Sequence, residues 1–193
     1  VKSSQTYTIG RCNRAYQGKS NVASTQPPQP GHRFVIHREG LDALLGALQR
    51  RGYRTVGPKV RDGAIVYDEL ASTAELPIGW TDEQDGGRYR LVRRDDAALF
   101  GYAVGPHSWK QFLHPSTLRL SATTHDEEAP RVSKDGQDPP RYAFIGVRSC
   151  ELHGILIQDR VFIRGPHVDR AYQSRRADLF IVALNCSHAG GTC

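Results

Sequence analysis

An α/β fold is predicted, a mixed α+β arrangement centred on one β–α–β unit whose parallel strands carry cysteines at their carboxyl ends. Two continuous apolar runs, residues 142–147 and 179–184, have the length and composition of fully buried strands. Sequence of helical pattern separates them, and such a connection sets the two strands parallel and adjacent with a right-handed crossover. Leu41, Leu44, Leu45 and Leu48 add the i, i+3, i+4, i+7 spacing of an amphipathic helix. A chain of 193 residues can bury a core of its own, so no disulfide framework is required.

Residues 1–32 are rich in Ser, Gln, Asn and Pro and hold little that could form a core. They read as a flexible arm ahead of an α/β domain spanning 33–193. Cys12, alone in that arm, reads as an incidental thiol. After the leucine-bearing helix, with Gly52 placed to cap it, residues 53–60 and 64–67 are short strand-like runs around Arg61-Asp62-Gly63. Asp-Gly favours a tight turn, which makes this a hairpin packed on one helix.

Residues 79–87 read as a polar, Gly-rich link into a strand over 88–93. A further strand over 99–104 is expected to run through Gly105-Pro106-His107-Ser108 into a helix that buries Trp109, Phe112 and Leu113 on one face. His107 and Ser108 then stand at a strand's carboxyl end, where helix capping explains them without chemistry. Residues 123–140 are acidic, then Pro- and Gly-rich, and read as an exposed loop or flap. Within the β–α–β unit, 151–160 forms a helix with Leu152, Ile155 and Leu156 on one face, and 169–176 a second helix.

The formal net charge of +6 comes from arginines that alternate with acids, as in Arg93-Arg94-Asp95-Asp96. No nucleic-acid module is recognisable, and a mixed solvated surface accounts for most of the charge. A basic docking face for an acidic redox protein is the functional alternative. Apolar runs of about six residues fall far short of the ~20 that span a bilayer. With no export signal visible, the expectation is a cytoplasmic protein whose cysteines are ligands or reactive thiols, not structural disulfides.

Cys150 follows the first apolar run by three residues and Cys186 follows the second by two, so both emerge on one edge of the sheet. Adjacent strands lie about 4.8 Å apart, within reach of one metal cluster. Residues 187–192, with Gly190-Gly191, are small enough to turn back and deliver Cys193 to the same place. Cys150 falls at a helix N-terminus, where the helix dipole and Arg148 both favour negative charge. An all-thiolate set suits iron–sulfur or zinc, yet Cys-x6-Cys with one remote Cys matches neither the zinc nor the ferredoxin spacings. Spacing alone therefore leaves a metal site and incidental thiols both open. His153 and His188 lie near these thiols and suit hydrogen bonding to a site better than ligation.

Four ordered segments carry a resemblance. They are residues 76–91, with Gly79-Trp80-Thr81-Asp82; residues 100–112, with Gly105-Pro106-His107-Ser108-Trp109; residues 144–153, with Val147-Arg148-Ser149-Cys150-Glu151-Leu152-His153; and Asn185-Cys186 through Cys193. Over roughly residues 35–193 the chain resembles the N-terminal portion of the sulfhydrogenase beta-subunit family, 4Fe-4S dicluster-domain proteins related to the A subunit of anaerobic sulfite reductase. The resemblance implies an electron-transfer subunit between a flavoprotein and a hydrogenase-like or reductase partner, and the basic charge adds an acidic ferredoxin as a candidate partner. It implies that Cys150, Cys186 and Cys193 are ligands of a 4Fe-4S cluster; on the electron-carrier reading, Arg148, Asn185 and the loop amides tune its potential. Family members carry another cysteine soon after the position of Cys193 and a ferredoxin-like domain beyond it, so the chain is expected to be truncated within the ligand loop. Two other readings stand beside this one: a thiol enzyme with Cys150 as nucleophile and His153 or His188 as base, and a cluster-free scaffold.

Overall fold

The computed structural model describes residues 8–9, 36–103, 105, 107–119, 121–125, 130–134, 139–186 and 189–190. Its strands are β1 (Thr8–Ile9), β2 (Tyr53–Arg61), β3 (Ala64–Glu69), β4 (Trp80–Asp85), β5 (Arg88–Arg93), β6 (Ser121–His125), β7 (Pro130–Lys134), β8 (Arg141–Val147) and β9 (Phe180–Ala183). Its helices are α1 (Arg38–Arg50), α2 (Lys110–Leu113), α3 (Ser149–Phe162) and α4 (Arg170–Ala177). The expected arm lies outside the described residues, apart from Thr8 and Ile9, which pair antiparallel with β9.

One five-stranded sheet, ordered β1-β9-β8-β2-β3, organises these elements. β8 occupies its centre and pairs in parallel with β2 on one side and β9 on the other. Successive β8 side chains serve opposite layers, as the pleat of a strand requires. Ala143 and Ile145 join Leu41, Leu45 and Leu48 of α1 in one apolar cluster. Tyr142 and Phe144 join Trp109, Leu113, Ile155 of α3 and Tyr172 of α4 in another. Burial on both faces is why this strand reads as unbroken hydrophobic sequence. The α/β class and the β–α–β unit are as the sequence predicts.

Gly146 interrupts the alternation. It has φ of +97°, and the β8–β9 register shifts there, so that Val147, not Gly146, faces Ala183. This is a β-bulge: one extra residue on β8, left-handed at the glycine. Its effect is to move Val147 onto the same layer as Phe144. Arg148 is buried beyond it and reaches Phe100 and Tyr102, which belong to the α1 layer.

The hairpin of β2 and β3 forms as expected, with Asp62 and Gly63 at φ of 50° and 72°, the left-handed pair of a type I′ turn. Gln49 at the end of α1 donates to Thr55 Oγ1 at 2.9 Å and to the Leu70 carbonyl at 3.0 Å, fastening helix to hairpin. On the other layer, buried Asp159 of α3 accepts from Tyr172 Oη at 2.8 Å and from Arg176 Nε at 3.1 Å, which locks α4 onto α3.

Three sequence expectations are corrected. Residues 79–87 are not a link: β4 pairs with β5 through Gly86-Gly87 as a separate two-stranded ribbon. A ribbon paired on one edge and half-exposed needs no apolar run, and Arg93 covers the Trp80 ring at 3.9 Å. Overlapping the stretch expected as a loop, residues 121–125 and 130–134 pair as the β6–β7 ribbon. The expected strand over 99–104 is irregular in its described residues. Its backbone groups go to side chains instead of a ladder: Arg148 Nη2 donates to the carbonyls of Phe100 at 3.0 Å and Tyr102 at 2.7 Å, and the Ala103 N–H donates to Asp82 at 2.5 Å.

A side chain at Gly146 would meet the Phe100 ring at 3.0 Å in a backbone conformation that costs a non-glycine residue about 1–3 kcal/mol. Gly146→Ala should lower stability by about 2 kcal/mol, read as a fall in the urea midpoint with unchanged slope; an unchanged midpoint would refute the bulge. On the surface, hydrogen bonds from Arg94 and from the Ala98 N–H hold the Asp96 carboxyl down to about 2. A carboxyl depressed on folding stabilises above its unfolded value, about 3.9, and that contribution is lost as pH falls through about 2. Carboxyl NMR titration should place Asp96 there and return it toward 3.9 in Arg94→Gln.

Candidate metal centre

Parallel pairing of β8 with β9 fixes where the thiols emerge. Val147 and Ala183 are register partners, and the Leu184 N–H donates to the Val147 carbonyl at 2.8 Å as the last rung between the strands. Cys150 lies three residues beyond Val147 and Cys186 three beyond Ala183. Two neighbouring strand ends, about 4.8 Å apart at the ladder, thus deliver both cysteines to the carboxyl edge of the sheet. Both residues are exposed there. Cys193 and His188 lie outside the described residues, as do Ser187 and Cys12.

Cys150 occupies the first turn of α3. Arg148 precedes that turn in extended conformation, and its N–H donates to Glu151 Oε2 at 2.8 Å. This contact closes the start of the helix in the manner of a capping box and leaves the positive end of the helix dipole beside Cys150. A second tie comes from the hairpin: Tyr67 Oη donates to Glu151 Oε1, and the Tyr67 ring stacks on Trp109 at 4.0 Å. Burial, reinforced by the Glu151 carboxylate, pushes the Tyr67 hydroxyl well above its ordinary range, so it remains a donor. The cysteine-bearing turn is therefore held by β3 as well as by its own strand.

Arg148 is 4% exposed, and its guanidinium serves the Phe100 and Tyr102 carbonyls while lying over the Tyr102 ring at 5.4 Å. It places a buried cation below the thiol edge and secures the segment leading toward His107. Burial raises the Tyr102 hydroxyl, partly offset by Arg148. Asn185 is exposed beside Cys186, and His153 is exposed on α3. A cleft of about 260 Å³ opens alongside, lined in part by His107, Ser108, Lys110, Cys150 and Gln158. His107 thus shares a cleft with Cys150, whereas Ser108 acts locally, its Oγ accepting from the Lys110 N–H at 3.2 Å.

The donor chemistry fits an iron–sulfur group: two exposed thiols at one edge, a helix N-terminus at one of them and a buried cation behind. Among the described residues no three His, Cys, Asp or Glu side chains gather as a metal site. The Tyr67–Glu151 tie has no sequence signal, since its partners lie 84 residues apart. Gly146 does have one, a glycine inside an apolar strand.

Residues 155 in number align at 39% identity with sulfhydrogenase 2 subunit beta of Pyrococcus furiosus. Over these residues the chain belongs to the sulfhydrogenase beta-subunit family. The match takes in 80% of the chain but 38% of the relative, so the chain spans about two fifths of that protein's length. No protein-family model matches the chain, and no solved structure does. Among the described residues no helix is long and apolar enough to cross a membrane.

Tyr67→Phe removes the hydroxyl that meets the Glu151 carboxylate, a charge-assisted bond worth about 1.5–3 kcal/mol. The variant should lose stability on that scale and exchange the first amides of α3 faster. Hydrogen exchange of that turn matching the wild type would show that β3 does not hold it.

Proposed function

We propose that residues 33–193 form an electron-transfer domain that holds a 4Fe-4S cluster through Cys150, Cys186 and Cys193. The observation that supports this best is the register of β8 and β9, which sets Cys150 and Cys186 at equal distance beyond paired residues on one sheet edge. Membership of the sulfhydrogenase beta-subunit family points to the same redox role. When bound, the cluster supplies reversible one-electron transfer at the sheet edge. The chain's own part is to hold thiolates at the strand ends, to keep positive charge near them through Arg148 and the α3 dipole, and to orient Asn185 and the loop amides for hydrogen bonding to sulfur.

On this reading the protein is a cytoplasmic subunit of a hydrogenase-like or sulfite-reductase-like complex. It relays electrons between a flavoprotein and a catalytic partner, and residues 1–32 are an arm that meets the domain's sheet through Thr8–Ile9.

Anaerobic reconstitution with iron and sulfide tests the ligand set. The wild-type chain should take up both and give an EPR signal on reduction, while Cys150→Ser, Cys186→Ser and Cys193→Ser should each lose most of the bound iron. Cys12→Ser should behave as wild type. Undiminished iron in Cys150→Ser or Cys186→Ser would overturn the assignment.

A further inference from the structure

The outer surface of α3 carries a feature that ligand binding at Cys150 does not use. Leu156, Ile157 and Val161 are 36%, 59% and 59% exposed, half of the six large apolar side chains standing in solvent among the described residues. At 100° per residue they share an arc of roughly 140° with His153 and Arg160, and Arg164 follows two residues past the end of the helix. Each of these three polar residues is exposed.

Neither acid of α3 lies on this arc. The helix contains two acids, and both are turned away: Glu151 binds Tyr67 and the Arg148 N–H, and Asp159 is buried against Tyr172 and Arg176. What remains outward is an apolar strip bordered by His153, Arg160 and Arg164. Isolated exposed apolar side chains need no explanation, but a grouped strip rimmed by one sign of charge has the composition of a protein contact. The same helix begins at the thiol-bearing turn, and its rise of 1.5 Å per residue puts Ile157 about 10 Å along the axis from Cys150.

We infer that this face of α3 is the docking surface for a small acidic electron-carrier protein, whose contact patch is apolar and ringed by Asp and Glu. The inference rests on the proposed electron-transfer role and names the partner of that site. Arg160 and Arg164 steer the acidic carrier, so they act chiefly on the association rate and its salt dependence. Leu156, Ile157 and Val161 supply the desolvated centre, so they act chiefly on the dissociation rate. Seating the carrier there brings its redox centre alongside the end of α3 that bears Cys150.

The test uses the reconstituted full chain and a purified acidic bacterial-type ferredoxin as probe, with affinity and association rate measured across a salt series. Ile157→Asp and Val161→Asp should each weaken binding at least tenfold, and Arg160→Glu should slow association and flatten its salt dependence. Leu118→Asp, at an exposed apolar position off this helix, should bind as wild type, and circular dichroism checks that each variant folds. Cys150→Ser should lose iron yet keep its affinity, which separates this surface from the cluster assignment: absent iron in the wild type defeats the latter alone. Equal binding by all variants, or no binding by the wild type, overturns the docking surface. So does binding of phosphatidylglycerol vesicles in place of the ferredoxin, or self-association in sedimentation velocity that Ile157→Asp abolishes.

Discussion

Parallel pairing between β8 and β9, with the bulge at Gly146 built into it, sets the position of nearly everything at the sheet edge. The ladder makes Val147 and Ala183 partners, and the bulge decides which layer receives the next side chain. Were the strand regular through Gly146, Val147 would leave the layer of Phe144 and Trp109, and Arg148 would leave that of Phe100 and Tyr102. One backbone irregularity thereby supplies a buried apolar contact on one face and a buried cation on the other. Both lie directly before the turn that presents Cys150.

That turn is held from three directions by different chemistry. The strand supplies a rung of backbone hydrogen bonding, Glu151 caps the helix start, and Tyr67 ties the same carboxylate to the hairpin. Cys186 follows a much simpler path, leaving β9 after a single further residue is bonded to Val147. The two thiol positions therefore differ in rigidity of support although they share an edge. A redox centre benefits from such fixed surroundings, because reorganisation of ligands and dipoles opposes electron transfer.

Much of this was legible before any coordinates. β8, β9, α3 and α4 announce themselves through continuous apolar runs and helical periodicity, because burial on two faces leaves little freedom in residue choice. The convergence of Cys150 and Cys186 follows from that topology alone. Strand β4 and the β6–β7 ribbon were hidden for the converse reason: a two-stranded ribbon outside the main sheet does not require an apolar run. Residues 99–103 misled because their hydrophobic side chains suit a strand while their backbone groups are claimed by Arg148 and Asp82. Such contacts join distant stretches of chain, and local pattern cannot encode them.

The pairing of β2 with β8 joins Tyr53 to Arg141, 88 residues apart in sequence. During synthesis the β2–β3 hairpin and α1 are complete long before the central strand exists, so one hairpin edge waits with unsatisfied peptide groups. Slow, non-local closure of this kind leaves a nascent chain open to wrong strand partners. The sheet order that gathers two cysteines at one edge thus also sets a vulnerable interval in the protein's biogenesis: the time between emergence of residue 61 and that of residue 147.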